Sequence, residues 1–203
     1  MFCAGMDLKD VVIDAAAGGS GDPDLPLALL ESLARLTGRI RRLPCVTVAR
    51  VNGAAIGGGC GLACVCDVAL THADAKLGFP EVDLGICPAV VAPWLVKKIG
   101  AGPARAVLLR GGLMSGADAF SLGLVDEVAP DRDALDTLCD AVVARLLEGG
   151  PAALAATKKL VNELDGSLDD DVLLRGAALS AEILARDEAQ AKLTARLAPA
   201  SKH

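Results

Sequence analysis

An α/β fold, with a core of short strands and helices over residues 1–130 and a helical region over 131–203, is predicted by three features of this sequence. Apolar runs of strand length alternate with helical patterns through the first part. Glycines and prolines punctuate them, and from Asp131 onward the apolar spacing is almost wholly that of helices. A chain of 203 residues suits one domain with a sizeable core. Aromatic residues make up 2% of the chain against 53% hydrophobic, so Ala, Leu, Val and Gly must carry the packing.

Residues 1–9 are too short to be an element that folds alone, and 15–26, rich in Gly, Ser, Asp and Pro, read as a flexible connection. Leu27, Leu30, Leu33, Ala34 and Ile40 recur at helical spacing, and their helix must stop before Pro44. Residues 45–51 read as a buried strand ending in an Asn52-Gly53 turn, and 60–65 as a short buried helix after three consecutive glycines. Further strands are predicted at 67–71, 76–79 and 124–128. Helices are predicted at 89–99, with Pro93 in the first turn, and at 102–109 and 115–122. The helical region divides into 131–147, 151–164, 168–185 and 187–197. No internal repeat is present.

The charge balance is acidic, net -6, with basic residues scattered, which argues against a nucleic-acid surface. No apolar window is long enough to span a bilayer, and no basic segment followed by an apolar run marks a signal peptide, so a cytoplasmic protein is expected. Seven cysteines, among them Cys45, Cys60, Cys64, Cys66 and Cys87 in apolar surroundings, read as buried free thiols in a reducing compartment. No histidine lies near Cys60, Cys64 and Cys66 to complete a familiar ligand pattern, so no metal site is expected.

A strand, a tight turn, Gly57-Gly58-Gly59 and a short apolar helix stand in sequence. Absence of Cβ lets a ligand approach the backbone, and the helix start offers unpaired N–H groups carrying partial positive charge. Such donors stabilise an oxyanion, and losing one costs about 2.7–4 kcal/mol of barrier. Close helix–strand packing explains the glycines equally well. A dinucleotide fingerprint fails, because the required third glycine is Leu62 in one register and Cys64 in the other.

Phe2-Cys3-Ala4-Gly5-Met6-Asp7-Leu8-Lys9 closely resembles the F-C-A-G-A-D-L-K segment of the enoyl-CoA hydratase/isomerase (crotonase) superfamily. Val51-Asn52-Gly53-Ala54-Ala55-Ile56-Gly57-Gly58-Gly59-Cys60 is similar to its V-N-G-x-A-x-G-G-G-C turn. Asp67, Phe79-Pro80-Glu81-Val82, Leu84-Gly85, Pro88 and Gly123-Leu124-Val125 continue the likeness in order. The resemblance implies a ββα spiral core and a C-terminal helical region used in trimerisation. It implies an acyl-CoA thioester substrate and no separate cofactor, since coenzyme A belongs to the substrate. Its enolate would be held by the backbone N–H groups of Met6 and Gly58, with Glu81 exchanging protons with the acyl chain. Ala4, Gly5, Asp7, Gly57, Gly59, Gly61 and Pro88 would line the substrate and CoA site. Taken alone, Glu81 reads as a surface glutamate capping a turn; an apolar neighbourhood after Pro80 would raise its pKa towards working pH.

Two departures qualify the likeness. Hydratases with two catalytic glutamates carry the second where this chain has Gly61, and Ala89 stands where dienoyl-CoA isomerases and related dehalogenases have aspartate. With Pro88 to Trp94, these features resemble the branch containing methylglutaconyl- and isohexenylglutaconyl-CoA hydratases, for which Lys97 or Lys98 would pair with a distal carboxylate unless both are solvated. Family members also have strands and a helix before the first motif, so the chain is expected to begin partway into the fold and to be poorly soluble or inactive alone. The expected activity is hydration of an enoyl-CoA. Alternatives are isomerisation with Glu81 as sole proton shuttle, or an acyl-CoA-binding remnant without activity. The expected assembly is a homotrimer or hexamer. A serine protease of the same spiral architecture would need a Ser–His–Asp set, and His72 and His203 are the only histidines.

Overall fold

The computed structural model describes residues 1–14, 16 and 18–198. Two expectations reach past them: Ala15 and Ala17 of the connection at 15–26, and the last residues of the helical region, including His203, lie outside the described residues.

Among the described residues, six short strands form two three-stranded sheets. One sheet holds β1 (Val48–Val51), β3 (Val68–His72) and β6 (Glu127–Ala129), in that order and all parallel. The other holds β2 (Ala55–Ile56), β4 (Lys76–Gly78) and β5 (Leu113–Ser115), with β2 and β4 parallel and β5 antiparallel to β4. Successive strands β1 to β4 alternate between the sheets, so the chain winds as a spiral. The Asn52-Gly53 turn sends it from β1 to β2, and α3 (Gly58–Val65) returns it towards β3.

The first residues are sutured to this core. Cys3 bridges Ala55 in parallel; the Phe2 and Cys3 N–H groups donate to the Ala54 carbonyl, and the Ile56 N–H donates to that of Cys3. A one-turn helix, α1 (Leu8–Val11), follows, capped by the Asp7 carboxylate. Ser20 donates its N–H back to the Val12 carbonyl, which folds the connection onto α1.

Of the longer helices, α2 (Leu25–Arg41) carries Leu30 and Ala34 into the core. Trp94 and Leu95 of α4 (Ala92–Ile99) are fully buried, and Ala104 does the same for α5 (Ala101–Arg110). α6 (Gly116–Ser121) starts with a reciprocal capping box between Ser115 and Asp118. The C-terminal helices α7 (Ala134–Leu147), α8 (Pro151–Leu164), α9 (Asp170–Leu184) and α10 (Asp187–Leu197) fold back over the core: α7 covers β3, α9 lies along α2, and α10 meets α1.

Differences from the expected elements have local causes. The strand predicted over 45–51 starts only at Val48, because the Cys45 carbonyl accepts from the Lys158 ammonium and the Thr47 N–H donates to the Asp67 carboxylate. The strand predicted over 124–128 is Glu127–Ala129, and the helix predicted over 89–99 starts at Ala92 because a turn at Pro88 precedes it. Strands β2 and β5, of two and three residues, are too short to show a period. Cys45 is exposed, and Cys66 and Cys87 are half-buried, whereas Cys60, Cys64 and Cys139 are buried; all seven cysteines are free thiols.

One polar cluster ties the helical region to the core. Asp67 accepts from the Thr47 N–H and hydroxyl and from Lys158 at 2.7–2.8 Å, and Arg41 lies 3.7 Å away with its guanidinium over the Trp94 ring. Lys158 is almost wholly buried, so deleting its partner leaves an uncompensated charge. Asp67→Ala is expected to lower unfolding free energy by about 3 kcal/mol in denaturant titrations, and a loss within the scatter of surface substitutions would show that the cluster holds nothing.

Candidate active site

The site grows from the exit of β2. Gly57 has φ +56 and donates its N–H to the Gly78 carbonyl at 2.8 Å, which turns the backbone sharply into α3. A side chain there would be strained, and a Cβ would stand 2.9 Å from Oε1 of Glu81. As first residue of α3, Gly58 has an amide with no intrahelical acceptor, and no side chain caps that end.

The motif segment lies directly across this turn. Gly5, at φ +88, sits so close that a Cβ would be 2.8 Å from the Ile56 carbonyl oxygen and 3.8 Å from the Gly58 nitrogen. Met6 follows at once, and Met6 and Gly58 line the same cavity. Among the described residues, neither amide donates to a protein acceptor.

Glu81 comes from the opposite side, on the 3-10 turn Pro80–Leu84. Fully buried Phe79 anchors the turn before it, and the Ile86 N–H closes it onto the Glu81 carbonyl at 2.9 Å. The carboxylate rests against Gly57, and its Oε2 is buried with no hydrogen-bond partner. Burial raises the pKa to about 7; its own backbone N–H pulls the other way, and the nearby Asp83 charge adds a little. A carboxyl group near half ionisation at neutral pH is suited to both taking and returning a proton.

These groups frame a cavity of about 250 Å³. Ala4, Gly5, Met6, Gly57, Gly58, Gly59, Glu81 and Pro88, all named from the sequence as site candidates, line it together. Two residues named with them do not. Asp7 is exposed and uses its carboxylate to accept from the Lys9 N–H at 2.9 Å, capping α1. Gly61 is enclosed by Val91, and it is Val91 that reaches the lining.

Beyond Glu81 the walls are mostly aliphatic, with Leu29, Leu30 and Leu33 from α2, Leu62 from α3 and Leu184 from α9, and among the described residues no lysine or arginine lines the cavity. Lys97 and Lys98 do not line this cavity; both sit at the surface, where Lys97 donates to the Asp165 carbonyl and Lys98 pairs with Asp126 at 2.6 Å. Sequence reasoning missed Ser180, whose hydroxyl donates to the Cys87 carbonyl at 2.7 Å and accepts from the Ala89 N–H, so that α9 holds the wall after Glu81. A lone serine on an apolar helix face carries no local signal of a contact with residues so far back in the chain. Among the described residues, no group of three or more His, Cys, Asp or Glu side chains is placed to hold a metal ion.

The chain is similar to known proteins over most of its length. An enoyl-CoA hydratase of Alternaria alternata is 31% identical over 189 residues, covering 93% of this chain and 60% of its own length. An enoyl-CoA isomerase/hydratase of Mycosarcoma maydis is 32% identical over 163 residues, covering 79% and 57%. The crystal structure of an enoyl-CoA hydratase from Bacillus halodurans superimposes with a TM-score of 0.80 at 28% identity, covering 93% of this chain and 74% of that one. The fold is thus the crotonase-like α/β fold, and the chain spans 57–60% of the length of the curated relatives it matches first. With residues 1–194 matched by the family's model, the chain belongs to the enoyl-CoA hydratase/isomerase family.

Proposed function

We propose that the chain binds the acyl thioester of a coenzyme A derivative and moves a proton at the acyl α-carbon through an enolate. The amides of Met6 and Gly58 receive the developing oxyanion, and Glu81 is the acid/base. The observation that carries this reading is a desolvated carboxylate with one oxygen unpartnered, in the same cavity as the Met6 and Gly58 residues whose amides have no protein acceptor. Preorganised donors act on charge as it forms, at no reorganisation cost, and the thioester supplies an acidified α-carbon. Coenzyme A is part of the substrate, and the reading needs no other cofactor.

Two reactions pass through this species: hydration of an α,β-unsaturated acyl-CoA, and migration of a β,γ double bond into conjugation. The relatives' names, one a hydratase and one an isomerase/hydratase, support both. The basic-residue-free cavity favours an uncharged aliphatic acyl group over a glutaconyl-type one with a distal carboxylate. A homotrimer or hexamer is part of the proposal, supported by Leu147, Leu160 and Leu164, which α7 and α8 leave exposed. A cytoplasmic setting is supported by seven free thiols, and no described helix is long and apolar enough to cross a membrane.

Glu81→Gln is expected to lower turnover by about 10²–10⁴-fold while acyl-CoA binding, read by calorimetry, survives; unchanged turnover removes Glu81 from the chemistry. In the wild type, kcat/KM should rise with pH through about 7 as the base form of Glu81 accumulates. Stability should move in the opposite sense. The folded state keeps the Glu81 proton up to about 7 while the unfolded state releases it near the ordinary glutamate value of 4.5, so stability relative to Glu81→Gln is greatest below 4.5 and is lost as pH rises through about 7. Parallel melting curves for the two proteins across this range would show the carboxyl is not desolvated. Light scattering tests the assembly: a monomer at micromolar concentration refutes it.

A further inference from the structure

We infer that Gln190, on α10, is a positioning residue for the oxyanion site: its side-chain amide ties the end of α1 to the corner between α9 and α10, and so holds the Met6 N–H in place. This deepens the enolate reading above and rests on it.

Gln190 uses its side-chain amide three times. Oε1 accepts from the Ile13 N–H at 2.9 Å, and Nε2 donates to the Val11 carbonyl at 3.2 Å and to the Leu184 carbonyl at 2.9 Å. This orientation of the amide matches every donor to an acceptor, and its reverse matches none. Two of the partners, the Val11 carbonyl and the Ile13 N–H, flank Val12, whose backbone is extended. In a sheet a neighbouring parallel strand would bond that pair; here a side chain does so.

The segment needs such a partner. α1 is four residues long, and a single turn is too short to hold itself. The Asp7 carboxylate caps its start, and the Val12 N–H closes it onto the Leu8 carbonyl. Met6 stands immediately before that cap, and its side chain packs against the apolar cluster of Val11, Val12, Leu184 and Leu193. Val11 and Leu184, both bonded by Gln190, also line the cavity. Gln190 itself is not part of the lining, so it acts only through the elements it ties together.

The preceding residue of α10 presses on the other catalytic element. Gly85, at φ +74, ends the turn that carries Glu81, and a Cβ there would stand 3.2 Å from the Cα of buried Ala189. Two adjacent residues thus touch both sides of the site, Gln190 by hydrogen bonds on the donor side and Ala189 by contact on the carboxyl side. Misplacing a reacting group by about 1 Å from a distance can cost about 10²-fold in rate.

The test compares the wild type with Gln190→Met, which keeps the side-chain length but removes all three hydrogen bonds, and Gln190→Ala, which removes the packing as well. Exchange of the α-proton of a saturated acyl-CoA in deuterated water is measured per binding site, the sites being counted by calorimetry. Difference infrared spectra follow the isotopically labelled thioester carbonyl of the same ligand when bound. Both variants are expected to exchange about 10–10²-fold more slowly per site, with KM changed less than about threefold. The bound carbonyl is expected to lose about half of its shift from the solution frequency, because one of two donors has moved. A merely structural role would lower the number of sites and the melting temperature while leaving the rate per site and the carbonyl frequency at their wild-type values, and that result overturns the inference with the enolate reading intact. Hydrogen exchange on the wild type tests the tie without any variant: the Ile13 amide is expected to exchange as slowly as the Val12 amide that closes α1, and rapid exchange there overturns the inference too. A wild type that binds no acyl-CoA, or binds it and exchanges no α-proton, overturns the enolate reading itself, and the inference with it.

Discussion

Gly57 packs against the Glu81 carboxylate and Gly5 against the Ile56 carbonyl beside it, so that neither position has room for a side chain, and the surrounding structure keeps these segments together. The residue 3–6 segment lies on one side, held by its bridge to β2, and the Glu81 turn presses from the other. The amides at the start of α3 are available because they have no intrahelical acceptor and no side chain caps that end, and Gly57 to Gly59 line the cavity. Backbone donors fixed by a ladder on one side and a helix on the other do not reorganise when charge appears, which is the property an oxyanion site needs.

Electrostatics adds a second constraint of opposite sign. Glu81 is placed where its charged form is poorly solvated, with one oxygen unpaired, and the surrounding aliphatic side chains make no attempt to compensate. Such a group opposes folding at neutral pH and is tolerated because Phe79, Pro80 and the Ile86 hydrogen bond hold its turn from the backbone side. By contrast, Asp67 and Lys158 are paired at 2.7 Å, which holds α8 against the core. The same residue class is thus used twice, paired where the fold needs holding and with one oxygen unpaired in the cavity where proton transfer is proposed.

The C-terminal helices do more than cover the sheets. α9 runs along α2, and its Gly176 comes so close that a Cβ would stand 3.0 Å from the Ala89 carbonyl carbon, while Ser180 one turn on bonds both Cys87 and Ala89. The wall carrying Val90 and Val91 is thereby positioned from residues about ninety places later in the chain.

From the sequence alone came the alternation of strand and helix, the all-helical end, the glycine turn and the short motifs that resemble one family, because apolar period and backbone permissiveness are local properties. Helix bounds at 151–164 and 187–197 were legible to the residue, since Pro151 and the apolar spacing mark them. Strands of two and three residues were not, because so few positions show no period. Tertiary structure alone decided that Asp7 caps a helix instead of lining the site, that Lys97 and Lys98 are engaged elsewhere, and that Gly61 answers to Val91. It also decided that Glu81, which reads by itself as a surface residue, loses most of its water. Each of these depends on which distant groups share a volume, and that follows from how the spiral closes rather than from any residue's neighbours in the chain.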